Sequence, residues 1–390
     1  MTLHLSRGSR RLLQSEIRNM TLECAAVGGI NLAQGVCDVK TPDLVLDAAN
    51  KAMRAGINAY TRYDGLPVLR QAIAAKHRRF TGQDVDPENQ IVVSAGATGA
   101  FYAVCQALFD PGDELLIFEP YYGYHLVTLA SLGLGATYVQ LQGQEWTFTR
   151  ADLDAALTSR TRAVIVNSPC NPCGKVFSRE ELGVVAEFAQ KHDLFVLTDE
   201  IYEHFLYDGL EHVSPATLPG MAERTITISG VSKSFSITGW RIGYSICDQR
   251  WAQTIGFCND LVYVCAPAPL QMGVAAGLNE LGDEYYAELT ATFARKRERF
   301  CNALADAGLT PRVPHGAYYA LADLSKLEGQ GSKARAMDLL KRTGVACVPG
   351  KAFYREDTDQ AGGLLGRFSF AKQDEVLEEA CRRLARLCRR

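Results

Sequence analysis

The sequence predicts an α/β protein: a large domain built on a mainly parallel sheet flanked by helices, followed by a smaller α+β domain. Three observations lead there. Apolar runs of strand length recur at 91–93, 115–118, 163–166, 194–197, 225–228 and 242–246. Several are separated by longer segments of helical periodicity, such as 100–108 and 180–192, the alternation that a parallel sheet with crossover helices requires. Beyond about residue 281 the texture changes to a long charged helix over 285–305, two short strand candidates around Tyr318 and Val345, and a basic terminal helix from Asp374. The expected division is an N-terminal arm with part of the small domain at 1–45, the large domain at 46–283 and the small C-terminal domain at 284–390. With no repeat or low-complexity linker, the two units are expected to pack closely around a cleft.

Composition bounds the function. A chain of 390 residues, 47% hydrophobic and 22% charged, can bury two substantial cores. A net charge of -3 supplies no bulk attraction for nucleic acid or anionic lipid, so small molecules are the expected partners. No apolar run is long enough to cross a bilayer, and MTLHLSRGSRR lacks the apolar core of a secretory signal, so a cytoplasmic location is expected. Leu12, Leu13, Ile17 and Met20 repeat at helical spacing, which reads as an amphipathic arm. Twelve scattered cysteines read as small buried apolar residues in a reducing compartment.

Ligands of open α/β sheets bind beyond the carboxyl ends of the strands, so the residues after each run matter most. Ser-Ala-Gly-Ala-Thr-Gly follows Val93, Glu-Pro-Tyr-Tyr follows Phe118, and Asn-Ser-Pro-Cys-Asn-Pro-Cys-Gly follows Val166. Thr-Asp-Glu-Ile-Tyr follows Leu197 and Ser-Gly-Val-Ser-Lys follows Ile228. Thr98, Tyr122, Asn171, Asp199, Tyr202 and Lys233 therefore converge on one edge. Each has an ordinary use alone: Asp199 as a helix cap, Lys233 as a solvated lysine, Arg241 and Arg367 as ion-pair partners, the glycine-rich 96–99 segment as a tight turn. Together they offer a primary amine, a carboxylate, a phenol and, at the helix start, free backbone N–H groups suited to a phosphate. Pyridoxal phosphate needs such a set: a lysine for a Schiff base, a carboxylate for the ring nitrogen, donors for the ring oxygen and an anion pocket.

The segment S-G-V-S-K-S-F-S-I-T-G-W-R-I-G-Y at 229–244 resembles the cofactor-lysine segment of the class I/II aminotransferases, the pyridoxal phosphate family with the aspartate aminotransferase fold, fold type I. N-S-P-C-N-P-C-G is similar to that family's N-x-P-x-N-P-x-G turn, T-D-E-I-Y to its D-E-x-Y segment, and G-R-F-S-F-A to its carboxylate-binding arginine region. The motifs stand in family order along nearly the whole chain. The resemblance implies a seven-stranded large-domain sheet, a cofactor held by Lys233, and transfer of an amino group between an amino acid and a 2-oxo acid.

It also implies the role of each residue. Lys233 is anchor and base, Asp199 pairs with the ring nitrogen, Tyr202 and Asn171 share the ring oxygen, and Tyr122 stacks on the ring. The phosphate falls to the backbone of Ala97 and Thr98, to Arg241, to Ser232 as a possible further contact and, across a homodimer interface with shared sites, to Tyr60. Arg367 grips the substrate α-carboxylate, with Gly35 and Asn171 near the substrate. One departure is Gly230, where many relatives carry a hydroxyl; the cup is then one donor short, or Ser229 substitutes. Cys170 and Cys173 occupy variable positions of the proline turn, and no second cysteine or histidine pair completes a zinc site.

Substrate is less determined. Thr98 stands where some aspartate-specific relatives place a lysine, which disfavours a strictly acidic substrate, although Arg62 could reach the pocket. Tyr63, Tyr122 and Tyr124 suit aromatic, methionine-like or glutamine-like donors, with 2-oxoglutarate or another 2-oxo acid as acceptor. Aspartate transamination and β-elimination on the same cofactor are the alternatives.

Overall fold

The computed structural model describes residues 14–355 and 362–388. Seven strands form one mixed sheet in the spatial order Ile91–Ala95, Ile242–Ile246, Thr225–Gly230, Phe195–Asp199, Thr161–Asn167, Glu114–Glu119 and Gly135–Gln140. The strand Ile242–Ile246 runs antiparallel to both neighbours and the other pairings are parallel, so the expected mainly parallel sheet is present.

Successive residues of a strand face opposite sides of the sheet, and the apolar runs bury both sides. Leu116, Phe118, Val164, Val166 and Val196 join a core with Leu182, Val185 and Phe188 of the helix Arg179–Lys191. Leu115, Ile117, Ala163, Ile165 and Leu197 face the other way, against the helix Gly96–Leu108. A third cluster unites Ile91, Val93, Ile242, Tyr244 and Ile246 with Leu69, Ile73 and Val274. Ser178 starts the helix Arg179–Lys191 with a capping box: its Oγ accepts from Glu181 N at 3.2 Å, and Glu181 Oε2 accepts from Ser178 N at 3.0 Å.

The seventh strand, Gly135–Gln140, has no apolar run to announce it. It is a partly exposed edge strand paired on one side only, so GATYVQ need not be continuously hydrophobic. Towards the C-terminus, the charged helix spans Asp283–Asp306 and the basic helix Asp374–Leu384. Between them lies a four-stranded antiparallel sheet of Val348–Pro349, Leu365–Ser369, Tyr319–Asp323 and Pro311–Arg312. Residues 1–13, including Leu12 and Leu13 of the expected arm, lie outside the described residues, but Glu16–Ala26 is helical with Met20 and Cys24 buried. The short strand Ile30–Asn31 then pairs in parallel with Val345–Ala346, fastening the N-terminal segment to the C-terminal part of the chain.

A buried polar network holds the T-D-E-I-Y-E segment from behind. Lys76 Nζ, from the helix Pro67–Thr81, pairs with the Glu203 carboxylate and donates to the Tyr244 hydroxyl at 3.1 Å. Ser229 Oγ donates to Glu203 Oε1 at 2.8 Å, and Glu200 accepts from Ser214 at 2.7 Å and pairs with His212 at 2.8 Å. Burial alone would push the Lys76 ammonium down and the Glu203 carboxyl up, but each outweighs that for the other, holding the lysine above and the carboxyl well below its usual range. Lys76→Met leaves a buried carboxylate unpaired and should cost about 3–5 kcal/mol at neutral pH, read as a lower urea midpoint. A depressed folded pKa contributes in full above the unfolded value of about 4.3 and is lost as pH falls towards the lower folded value, so the stability Glu203 gives the wild type should decline progressively below about pH 4.

Candidate active site

Strand register places the chemistry. Asn167 pairs with Asp199, Asp199 with Ile228, Gly230 with Gly243 and Ala95 with Ile242. The ends of four parallel strands and the start of the antiparallel one therefore share one edge, which opens into a cavity of about 570 Å³. Gly35, Ala97, Thr98, Tyr122, Asn171, Asp199, Tyr202, Ser232, Lys233, Arg241 and Arg367 all line it. Of the residues expected to hold the cofactor or the α-carboxylate, Tyr60 alone is absent from this lining, being 84% exposed on the surface; Tyr63, expected beside the substrate side chain, is absent too, its ring meeting Phe257 edge-on at 5.2 Å.

Asp199, the last residue of its strand, is buried, and its Oδ2 accepts from His125 Nε2 at 3.1 Å. Its Oδ1 accepts from Ile201 N at 3.3 Å. His125 comes from the helix Gly123–Ser131 and is fixed by rings: Phe101 lies 4.5 Å away and Tyr122 meets it edge-on at 5.3 Å. Tyr122 also stacks on Tyr124 at 5.4 Å. His125, Tyr319 and Arg18 line the cavity without being singled out by the motifs; for His125 an aromatic-rich helix following a strand is the only signal.

Lys233 Nζ donates to Gly35 O at 3.3 Å and lies 5.9 Å from the Tyr202 ring centre. Burial pushes its ammonium down to about 8, with Arg241 acting in the same direction and Cys37 and Asp199 opposing it. The Tyr202 hydroxyl shares a 2.8 Å hydrogen bond with that of Tyr319, and burial raises both phenols. Tyr319, from the C-terminal sheet, presses so closely on Gly35 that an added Cβ there would lie 1.8 Å from its hydroxyl oxygen.

Arg367 is completely buried in the strand Leu365–Ser369. One amino group donates to Asn171 Oδ1 at 2.8 Å and the other to Ala33 O; its guanidinium lies 4.3 Å from the Tyr319 ring and 5.1 Å from that of Phe353. Its Nε has no partner, and among the described residues no carboxylate pairs with it. A buried cation without a carboxylate partner is costly for the fold. Asn171 is held by its own turn, its N–H donating to Asn167 Oδ1 at 2.8 Å, and since Oδ1 serves Arg367, Nδ2 remains its free donor.

The opposite end suits a second anion. The helix Gly96–Leu108 begins without a side-chain cap, so its first N–H groups are open. Arg241, in the left-handed region at φ 55, lies over them, donating to Thr238 O at 2.9 Å; a Cβ at Gly96 would sit 2.3 Å from its Nη2. Ser232 lines the cavity, whereas Ser229 does not: its hydroxyl is committed to Glu203 in the network behind the strand. The alternative in which Ser229 substitutes for the missing donor is therefore corrected. Arg62 is bound to Asp64, Nε to Oδ1 at 2.6 Å, and is not among the cavity residues. Cys170 and Cys173 are both buried as free thiols in the apolar core.

Amine, carboxylate, uncapped helix with arginine, and an Arg367 with no carboxylate partner among the described residues together fit pyridoxal phosphate with a carboxylate substrate. Comparison with known proteins agrees. Residues 27–384 match the family described as Aminotransferase class I and II. The chain is 37% identical over 379 residues to a probable N-succinyldiaminopimelate aminotransferase of Mycobacterium tuberculosis, covering 95% of each. The solved structure of the N-succinyldiaminopimelate aminotransferase from that species superposes with a TM-score of 0.94 at 36% identity, over 98% of this chain and 100% of that one. Kynurenine–oxoglutarate transaminase 3 of Mus musculus is 34% identical, over 90% of this chain and 83% of that protein. A structure reported with a methionine aminotransferase function, from Escherichia coli, gives a TM-score of 0.93 at 29% identity, over 98% and 100% of the two chains.

The depressed lysine is directly measurable. In acetic anhydride labelling of the cofactor-free protein, the peptide bearing Lys233 should reach half-maximal reactivity near pH 8, while surface lysines require about 10.4.

Proposed function

The chain belongs to the class I and II aminotransferases, enzymes that work with pyridoxal phosphate, and we propose that it moves an amino group from an L-amino acid with an aromatic, methionine-like or glutamine-like side chain to a 2-oxo acid such as 2-oxoglutarate. The observation that carries this reading is Arg367, a buried cation awaiting a carboxylate, beside a wall of Tyr122, Tyr124, Phe101 and Ile201. Relatives that act on kynurenine and methionine agree with such a wall.

When bound, pyridoxal phosphate supplies an electrophilic aldehyde and a conjugated ring that delocalises the electron pair left by a departing α-proton. The protein does the rest. Lys233 would hold the aldehyde and, as a free amine, would take the proton from the substrate Cα; a pKa near 8 leaves a useful neutral fraction at physiological pH. Asp199 keeps a ring nitrogen protonated, and His125, donating to Oδ2, orients the carboxylate and satisfies part of its hydrogen-bonding capacity. Asn171 Nδ2 and the Tyr202 hydroxyl serve the ring oxygen, and Tyr122 covers the ring face. Ala97 N, Thr98 N, Arg241 and Ser232 take the phosphate. Arg367 fixes the α-carboxylate, while Gly35, by having no side chain, lets Tyr319 close over the substrate.

We assign Tyr60 to the partner's phosphate site in a homodimer with shared sites. Its exposure supports this, as does the apolar surface of Phe257, Leu261, Val262 and Val264 on and just after the helix Gln249–Tyr263. Within this reading the large domain is 46–283 and the small one 284–390 with the 1–45 arm.

An amino-donor screen tests the assignment: loss of the aldehyde-form absorbance should be fastest with aromatic, methionine-like or glutamine-like donors, with glutamate as product from 2-oxoglutarate. Aspartate as the best donor, or pyruvate and ammonia as products, would contradict it. Arg367→Lys should keep the cofactor and lower kcat/KM by about 10²-fold, since an ammonium cannot make the paired hydrogen bonds. Asp199→Asn should lower kcat by about 10²- to 10³-fold with a smaller change in KM.

A further inference from the structure

Five Arg, Lys and Asp side chains line the cavity: Arg18, Asp199, Lys233, Arg241 and Arg367. The proposed reaction uses four of them. Lys233 and Asp199 serve the two poles of the cofactor ring, Arg241 its phosphate and Arg367 the substrate α-carboxylate. Arg18 remains. It lies on the helix Glu16–Ala26, its side chain makes no ion pair or hydrogen bond among the described residues, and it is exposed at the mouth of the cavity beside Ile17. The nearest acid in sequence, Glu16, is committed elsewhere: its Oε2 takes Lys333 Nζ at 2.7 Å and its Oε1 takes Asn19 at 3.3 Å.

An exposed arginine normally faces bulk water and needs no ligand. This one differs because of the wall it shares. The 33–36 segment runs from Ala33, whose carbonyl accepts from Arg367, to Gly35, whose carbonyl accepts from Lys233 at 3.3 Å, and Gln34, Gly35 and Val36 line the same cavity as Arg18. A substrate held at its α-carboxylate by Arg367 and reacting at Lys233 thus has one further cation available, at the open end, with no acid paired to it among the described residues.

We infer that Arg18 binds the distal carboxylate of a dicarboxylic 2-oxo acid, making it the residue that selects 2-oxoglutarate-like acceptors, while apolar donors rest on the Tyr122 and Tyr124 wall. This assignment rests on the aminotransferase reading above and names the determinant of its second substrate. The contact is a charge-assisted hydrogen bond at a partly solvated rim, strong enough to discriminate and sensitive to salt.

The test is the acceptor half-reaction, with enzyme carrying the aminated cofactor mixed with either 2-oxoglutarate or 2-oxohexanoate, a chain of similar reach without the second carboxylate. The readout is the ratio of their kcat/KM values. Arg18→Gln should lower that ratio by about 10-fold or more, and Arg18→Lys should restore part of it. Raising the salt from about 0.05 to 0.5 M should lower the wild-type ratio and leave that of Arg18→Gln unchanged. An unchanged ratio in Arg18→Gln, or an equal loss with both acceptors as a merely structural arginine would give, overturns the assignment. A wild-type protein that transfers no amino group at all overturns instead the reading beneath it, and is seen before any variant is made.

Discussion

The structure depends on a buried cation that has no carboxylate partner among the described residues. Arg367 is wholly buried, and the low-dielectric interior makes an unpaired charge one of the most costly features a fold can contain. What offsets that cost is visible: Asn171 Oδ1 and Ala33 O accept two of its hydrogen bonds, and the rings of Tyr319 and Phe353 offer their negative faces. These partners come from the proline turn after one sheet strand, the N-terminal segment and two places in the C-terminal part of the chain. The requirement to solvate one guanidinium thus brings together four stretches that are far apart in sequence. It leaves Nε open for a ligand to satisfy.

A similar economy governs the reactive amine. Burial lowers the Lys233 ammonium, and among the described residues no carboxylate forms an ion pair with it; a close acid would stabilise the ammonium and oppose that shift. The cavity's own acid, Asp199, is bonded to His125 instead. Behind the edge, Lys76 and Glu203 neutralise each other, so the segment between Asp199 and Glu203 is supported without altering the charge of the cavity. The buried Lys76–Glu203 pair behind the edge thus contrasts with the cavity, where Lys233 and Arg367 have no carboxylate partner among the described residues.

Much of this was legible in the sequence because parallel strands put their carboxyl ends on one edge. Thr98, Tyr122, Asn171, Asp199, Tyr202 and Lys233 each stand within a few residues of the end of an apolar run, and all of them line the cavity. Groups reaching the site from elsewhere were less legible. His125 is placed by how the helix Gly123–Ser131 packs, Tyr319 by a sheet formed some two hundred residues after the first strand begins, and Arg18 by an N-terminal helix anchored through pairing with Val345–Ala346. None of those distances is encoded in local periodicity. Ser229 shows the converse: its neighbours Gly230 and Ser232 suggest the phosphate, but strand alternation turns its hydroxyl to the back of the sheet. The strand Gly135–Gln140 escaped because an edge exposed to solvent needs no apolar run.

The most direct test is to load the purified protein with pyridoxal phosphate, reduce it with borohydride and map the modified peptide by mass spectrometry. The account predicts one pyridoxyl group per chain, carried by the peptide containing Lys233. A label on another lysine, or none with the cofactor present in excess, would contradict it.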